Sequence, residues 1–329
     1  MNFTPIIQKS MEWCDAHFPT VNLLRHTPYI LVFKTTNFCW YQCPHCCESA
    51  GPKNPRVFIP EQVIDYYLDL AKSDPCFSNN VVFTGGEIMS AYRVGSVDYV
   101  PHILNKSLDL DISTDIKTNA AWARAEFGNR IFQDLQHVIS THKPYALQIS
   151  LSLDSFHKNA LENNAAVISR LAKMPDVRVA INVARFHDYS CKMSELLSAV
   201  KAKKNSVDEV VYGDADHLKK GWIVNDRVLV LDSAPVRVFD GGRAKNMPGA
   251  VHTEFPQFKF LAKNGAHLLA LDTFGRATLG ENSGRKISAS WVSGKTAKHL
   301  MQVRSDLVFA TLREELRARL FDGWRFETR

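Results

Sequence analysis

Apolar and polar positions along this chain follow two periods in turn. Short apolar runs such as Tyr29–Lys34 and Val81–Phe83 read as buried strands, and the segments between them carry apolar residues at helical spacing. Val63, Ile64, Tyr67 and Leu70 predict a helix over Pro60–Ala71. Leu110–Thr118 alternates as a strand does, and Ala121–Val138 follows as a helix. The rhythm repeats with a strand at Ala146–Leu153 and a helix around Ala160–Leu171, then a strand at Val177–Val183 and a helix around Met193–Lys203. Val207–Val211 predicts a sixth strand.

Strands alternating with helices imply right-handed crossovers and a parallel sheet. Six such units predict an α/β fold, a partial (β/α)6 TIM-like barrel over residues 29–215, because a closed eightfold barrel takes about 250 residues and the rhythm stops near residue 215. Residues 1–28 read as an N-terminal cap with one apolar helical face through Ile6, Ile7, Met11 and Trp13. Residues 216–329 read as a smaller C-terminal α+β extension. There Trp222–Leu231 and Val236–Phe239 look like strands. His267–Leu271 and Ala277–Leu279 flank Asp272-Thr273-Phe274-Gly275 as a hairpin would, and Ser305–Phe321 reads as a helix stopped by Gly323.

Composition is that of an ordinary globular chain, 45% hydrophobic and 22% charged over 329 residues. The formal charge is +6, and residues 285–329 hold ten Lys and Arg against five Asp and Glu. A basic face of that kind attracts anions, but it is also what a solvated helix surface looks like; nucleic acid is not expected as a partner. No run nears the roughly 18 apolar residues that would cross a bilayer, and the N-terminus lacks a signal-peptide pattern, so no membrane partner and a cytoplasmic location are expected.

The chemistry concentrates in cysteines. Four of the seven fall within nine residues, which in a cytosolic chain reads as metal binding or catalysis rather than a disulfide framework. Cys39-Trp40-Tyr41-Gln42-Cys43-Pro44-His45-Cys46 is a C-x3-C-x2-C spacing just after the first predicted strand. Three thiolates on a four-iron cube leave one iron open to a ligand. Zinc on the three cysteines plus His45 is the alternative, since Cys3His sites are known. Cys47 reads as an unligated neighbour.

This loop resembles the defining loop of the radical S-adenosylmethionine (SAM) superfamily. In that family the residue before the third cysteine is usually aromatic and lies near the adenine; here it is His45. Phe83-Thr84-Gly85-Gly86-Glu87 resembles the family's GGE motif, so Gly85, Gly86 and Glu87 are expected to hold the amino group of SAM. Lys117-Thr118-Asn119-Ala120 is similar to the TNG motif, with Ala120 in the glycine's place, and makes Asn119 a cofactor-binding candidate. Ser150-Leu151-Ser152-Leu153-Asp154-Ser155-Phe156-His157 resembles the fourth-strand motif. By that resemblance Ser152 reaches the ribose, Asn182 the ribose or carboxylate, and Asp154 faces the substrate. Ordinary strand or turn chemistry is the other reading of Ser152 and Asn182, and a helix N-cap is the other reading of Asp154. Tyr189 and Cys191 are candidates to return a hydrogen atom to a substrate radical, against the plainer reading as packing residues.

The resemblance implies an oxygen-sensitive enzyme with a [4Fe–4S] cluster on Cys39, Cys43 and Cys46 and S-adenosyl-L-methionine as cofactors. One electron from flavodoxin or ferredoxin cleaves SAM to a 5′-deoxyadenosyl radical, which takes hydrogen from an unactivated C–H bond. Gly241-Gly242-Arg243-Ala244 resembles the GRA element of peptide- and protein-modifying members, and the hairpin at Leu268–Leu279 resembles the one that opens their SPASM or twitch extension. With no cysteine after Cys191, the extension is expected to be a degenerate one without clusters. A peptide or protein substrate is therefore expected; a small metabolite or nucleotide is the alternative, and a zinc-binding or electron-carrying protein is the alternative of another class.

Overall fold

The computed structural model describes residues 29–46, 48–73, 77–142, 146–174, 177–184, 193–212, 219–236, 242–246, 267–271, 276–279 and 286–290. The expected N-terminal cap helix and the helix at Ser305–Phe321 lie outside them.

Apolar runs and apolar stripes become strands and helices in alternation. Strand β1 (Tyr29–Thr36) is followed by α1 (Glu61–Ser73), β2 (Phe77–Gly85), α2 (Ser90–Arg93) and α3 (Tyr99–Asp109). Then come β3 (Ser113–Thr118), a 3-10 turn (Ala121–Arg124), α4 (Gly128–Thr141), β4 (Leu147–Ser152) and α5 (Ala160–Leu171). Strand β5 (Val177–Ala184) leads to α6 (Met193–Ala202) and β6 (Val207–Tyr212). The remainder is β7 (Lys219–Val224), β8 (Val228–Val236), a 3-10 turn (Gly242–Asn246), β9 (His267–Leu271), β10 (Arg276–Leu279) and β11 (Lys286–Ser290).

All these strands join one mixed sheet in the order β11-β10-β9-β1-β2-β3-β4-β5-β8-β7-β6. Neighbours from β9 through β1–β5 to β8 run parallel. A parallel sheet needs cover on both faces, so its strands are apolar almost throughout. Ile149, Leu151, Val179 and Ile181 are accordingly fully buried. Helix α1 buries Val63, Ile64, Tyr67 and Leu68, and α1 packs on β2 and α3. Each such side chain contributes roughly 1.5–3 kcal/mol by leaving water.

Several expectations change. Helix α3 was not foreseen, although Tyr99, Val100, Ile103, Leu104 and Leu108 make a buried helical stripe. Its end takes residues expected in the next strand: the Ile112 amide bonds the Ser107 carbonyl, Asp111 turns left-handed at φ 61°, and β3 starts only at Ser113. The helix expected over Ala121–Val138 is broken, because Ala125 is extended between the 3-10 turn and α4. Gly128 lies so close to Trp122 that an added Cβ would stand 2.6 Å from its carbonyl oxygen.

The strand expected over Trp222–Leu231 is two strands, β7 and β8, folded back through Asn225 and Asp226 at φ 50° and 57°. Strand β6 is not the next parallel strand after β5. It pairs antiparallel with β7 at the sheet's edge, and β8 takes the place beside β5. A hairpin returning from the edge satisfies the open side of β5 without a further crossover helix. Of the strand expected at Val236–Phe239, Val236 ends β8 and the rest lies outside the described residues. The expected hairpin forms as β9 and β10, antiparallel, with β9 seated parallel on the free edge of β1.

Candidate functional site

In a parallel sheet, loops leaving the carboxyl ends of neighbouring strands meet. Here the loop after β1 carries Cys39, Cys43 and Cys46, the loop after β2 carries Gly85-Gly86-Glu87, and β3 ends next to Asn119. The Asn119 side-chain amide donates to Cys39 Sγ at 3.5 Å, and the Tyr41 backbone N–H approaches the same sulfur at 3.4 Å. All three cysteines are free thiols; Cys39 and Cys43 are buried and Cys46 is half-buried. Burial pushes the Cys39 thiol up to about 12, with the Glu87 charge adding to the effect; burial also raises Cys46, against backbone donors and the nearby Arg243.

The two glycines bring backbones together. The Gly86 N–H bonds the Thr36 carbonyl at 2.5 Å and the Glu87 N–H bonds the Phe38 carbonyl at 2.9 Å. A Cβ on Gly86 would stand 2.1 Å from the Phe38 oxygen, and Gly85 has φ 110°. What these glycines approach so closely is the stem of the cysteine loop itself. The Glu87 side chain turns inward. Its carboxylate accepts from Thr118 Oγ1 at 2.8 and 3.0 Å, from the Asn119 N–H at 2.9 Å and from the Met89 N–H at 3.2 Å. Burial pushes its carboxyl up to about 7, partly opposed by those donors. Ala120 adopts the left-handed conformation, φ 59°, so the backbone turn survives the loss of the motif's glycine.

Ser152 closes β4 half-buried and stands opposite Asn182 in the β4–β5 ladder, so these two candidates share one rung. The Asn182 side chain, Tyr189 and Cys191 lie outside the described residues. Asp154 is buried and is not the cap of α5, where Asn159 holds the cap position. Its Oδ1 accepts instead from the Phe156 N–H at 3.1 Å and contacts His157 Nδ1 at 2.8 Å. His157, unassigned from sequence, is raised to about 10 by Asp154 and by Cys43 against its burial. His45 packs on Phe156 with ring centres 4.4 Å apart and planes tilted by 34°, and meets His157 edge-on at 5.2 Å. Burial lowers His45 to about 4, and its Nδ1 is buried with no hydrogen-bond partner among the described residues. His45, Asp154 and His157 place ligating atoms within 4.8 Å of one another, the one such group among the described residues.

Arg243 was also passed over as a site residue. Its side chain reaches the cysteine loop from a position 200 residues downstream and donates to the carbonyls of Cys43 and Ala50. Beside the loop, Trp40 packs on Phe127, and the two line an open groove of about 720 Å³ with Tyr92 and Arg93.

Three buried or half-buried free thiols on one loop, with N–H groups aimed at a sulfur and no disulfide among them, make a donor set that fits a thiolate-bound iron–sulfur cluster. The chain is similar to two proteins of known structure, SuiB and anSMEcpe. One is Streptococcus suis SuiB bound to S-adenosylmethionine, 15% identical, covering 76% of this chain and 60% of that one with a TM-score of 0.38. Another is SuiB bound to the precursor peptide SuiA, 14% identical, covering 92% and 70% with a TM-score of 0.43. Native anSMEcpe with bound AdoMet is 12% identical, covering 54% and 49% with a TM-score of 0.35. The chain spans about three-fifths of the SAM-bound SuiB chain. No family model matches the sequence, and no curated protein does. Among the described residues no helix is long and apolar enough to cross a membrane.

Proposed function

We propose that the chain is a radical SAM enzyme that modifies a peptide or protein substrate, built on a partial (β/α)6 barrel and working in the cytoplasm. The observation that carries the reading is the convergence of the free Cys39, Cys43 and Cys46 with Asn119 and the Gly85-Gly86-Glu87 loop at the carboxyl ends of β1–β3. The three cysteines would hold a [4Fe–4S] cluster. With SAM bound and one electron supplied by the donor protein, the cluster would support reductive cleavage of SAM to methionine and a 5′-deoxyadenosyl radical able to remove hydrogen from an unactivated C–H bond.

The chain's own residues orient and enclose. Asn119 steadies Cys39 through its N–H···S contact. Glu87, with its carboxylate occupied by Thr118 and backbone donors, fixes the β2 and β3 loops to each other, so the part left for its loop in holding SAM belongs to the backbone. His45, packed on Phe156, would lie beside the adenine, and Ser152 with Asn182 would face the ribose. Asp154, bonded to His157, stands on the substrate side. Flavodoxin or ferredoxin is the proposed electron donor. The resemblance of Gly241–Ala244 and of the β9–β10 hairpin to elements of peptide-modifying enzymes favours a peptide over a small metabolite.

The test is anaerobic reconstitution with iron and sulfide, addition of dithionite and SAM, and mass spectrometry of 5′-deoxyadenosine. Wild type is expected to form it and a Cys39/Cys43/Cys46→Ala variant is not. A second reading, a divalent metal held without sulfide, draws on the proximity of His45, Asp154 and His157. The Asp154–His157 bond already uses one atom of each. Zinc in the purified protein, with no sulfide bound after reconstitution, would favour it.

A further inference from the structure

Among the described residues of the thirteen-residue loop Cys39–Gly51 there is no helix or strand, so the loop depends for its shape on isolated turns and on bonds from outside it. Its stem is closed by the Cys39 N–H on the Gly51 carbonyl and the Gly51 N–H on the Asn37 carbonyl. Asn54 staples the base by donating to the carbonyls of Asn37 and Ser49. Inside the loop two local turns form, the Cys46 N–H on the Cys43 carbonyl at 3.2 Å and the Ser49 N–H on the Cys46 carbonyl at 3.3 Å, and the carbonyls of Cys43, Cys46 and Ala50 are also met from outside the loop. One residue meets all three. Arg243 Nε donates to the Cys43 carbonyl at 2.9 Å, a terminal guanidinium nitrogen donates to the Ala50 carbonyl at 2.5 Å, and the Arg243 backbone N–H donates to the Cys46 carbonyl at 3.1 Å. Arg243 itself is fixed, because it lies in the 3-10 turn Gly242–Asn246 and its neighbour Ala244 is fully buried.

The fork matters here. A guanidinium presents donors at fixed angles and can span two acceptors at once, whereas an ammonium is a point charge on a flexible stem. The acceptors here are backbone carbonyls.

We propose that Arg243 is a positioning residue that clamps the Cys39–Gly51 loop from inside and holds it in shape before any metal binds. The clamp belongs to the same site as the proposed function and rests on that reading only for what the loop receives. It ties the segment after β8 to the loop after β1, so the site is complete only when β8 has joined the sheet beside β5.

The experiment reads the loop without metal first. Amide exchange of the apo-protein is followed by mass spectrometry for wild type, Arg243→Gln and Arg243→Lys, with α5 as an internal reference for folding. Loss of a charged donor to buried carbonyls should speed exchange over residues 39–51 at least about tenfold in the Gln variant. Arg243→Lys should behave like Gln, because it cannot bridge two carbonyls, and α5 should stay at the wild-type rate in both. After reconstitution, both variants should release iron to a chelator faster than wild type. Unchanged exchange over 39–51 in both variants would overturn the clamp. So would equal acceleration of α5, which would make Arg243 a general stabiliser, or full retention by Lys, which would make charge alone sufficient. If wild type binds no cluster while the variants still loosen the loop, the cluster reading fails and the clamp stands. If wild type binds the cluster and its loop ignores Arg243, the clamp fails and the cluster reading stands.

Discussion

Gly86 has less room for a side chain than the other described glycines of the site. With a Cβ 2.1 Å from the Phe38 oxygen, Gly86→Ala must push the β2 loop off the cysteine loop. Overpacking against backbone predicts a loss on the order of 3 kcal/mol in chemical denaturation, with less iron bound per chain. Glu87 makes the opposite case, a charge the fold has buried and then satisfied. Glu87→Gln exchanges one acceptor oxygen for a donor that faces N–H and O–H groups, at about 1–3 kcal/mol. Because its carboxyl is raised from 4.5 to about 7 in the fold, its contribution is fully present below about pH 4.5 and is lost as pH rises through about 7. At ~1.4 kcal/mol per pKa unit this is a swing of ~3 kcal/mol. His45, lowered to about 4, works the other way, losing stability as pH falls below its ordinary value, so the raw pH profile is a composite. The difference between wild type and Glu87→Gln isolates the carboxyl: urea midpoints should converge as pH rises from 5 to 8. These residues were legible in the sequence because they sit in short contiguous motifs. What was not legible was their direction, since only packing decides whether a glutamate after two glycines faces a ligand or Thr118.

At the scale of elements, the β7–β8 hairpin shows local chemistry overruling the apolar pattern. Trp222–Leu231 reads as one strand because the interruption is a polar triplet, Asn225-Asp226-Arg227, with valines on both sides. Both Asn225 and Asp226 are left-handed, which suits hairpin turns and costs about 1 kcal/mol for a residue other than glycine. Asn225 has a use for its side chain, accepting from the Ser206 N–H and donating to Asn205, each at 2.8 Å. Asp226 has no such bond among the described residues, so Asp226→Gly should gain ~0.5–1 kcal/mol, read as a raised melting temperature. The split between the 3-10 turn and α4 has a similar cause: the buried Trp122 side chain bonds Thr118 Oγ1 and holds its turn against β3 rather than in line with the helix.

For the whole molecule, the sequence rhythm carried the order β1 to β5 but not what lies beyond β5. Helices alternating with strands dictate parallel neighbours, whereas a hairpin of short strands leaves open which edge it joins and in which direction. The contact between Arg243 and the cysteine loop was invisible for the same reason: a separation of 200 residues has no periodicity. Since β8 sits inside the sheet between β5 and β7, it should open only with the core. Native-state amide exchange should give Val230 the same opening free energy as Ile149 and Val179; a distinctly lower value would mean that β7 and β8 peel away as a unit.

The hydrogen bonds that close the Cys39–Gly51 loop come from the protein itself, and this bears on repair. Small metal-dependent domains lose their fold with their metal and must refold to recover it. Here Asn54, Gly51 and Arg243 make these bonds with partners from the protein alone. On the proposed reading, loss of the cluster would leave these bonds in place, and the emptied loop would be refilled on the folded protein, over many cycles of damage and reloading.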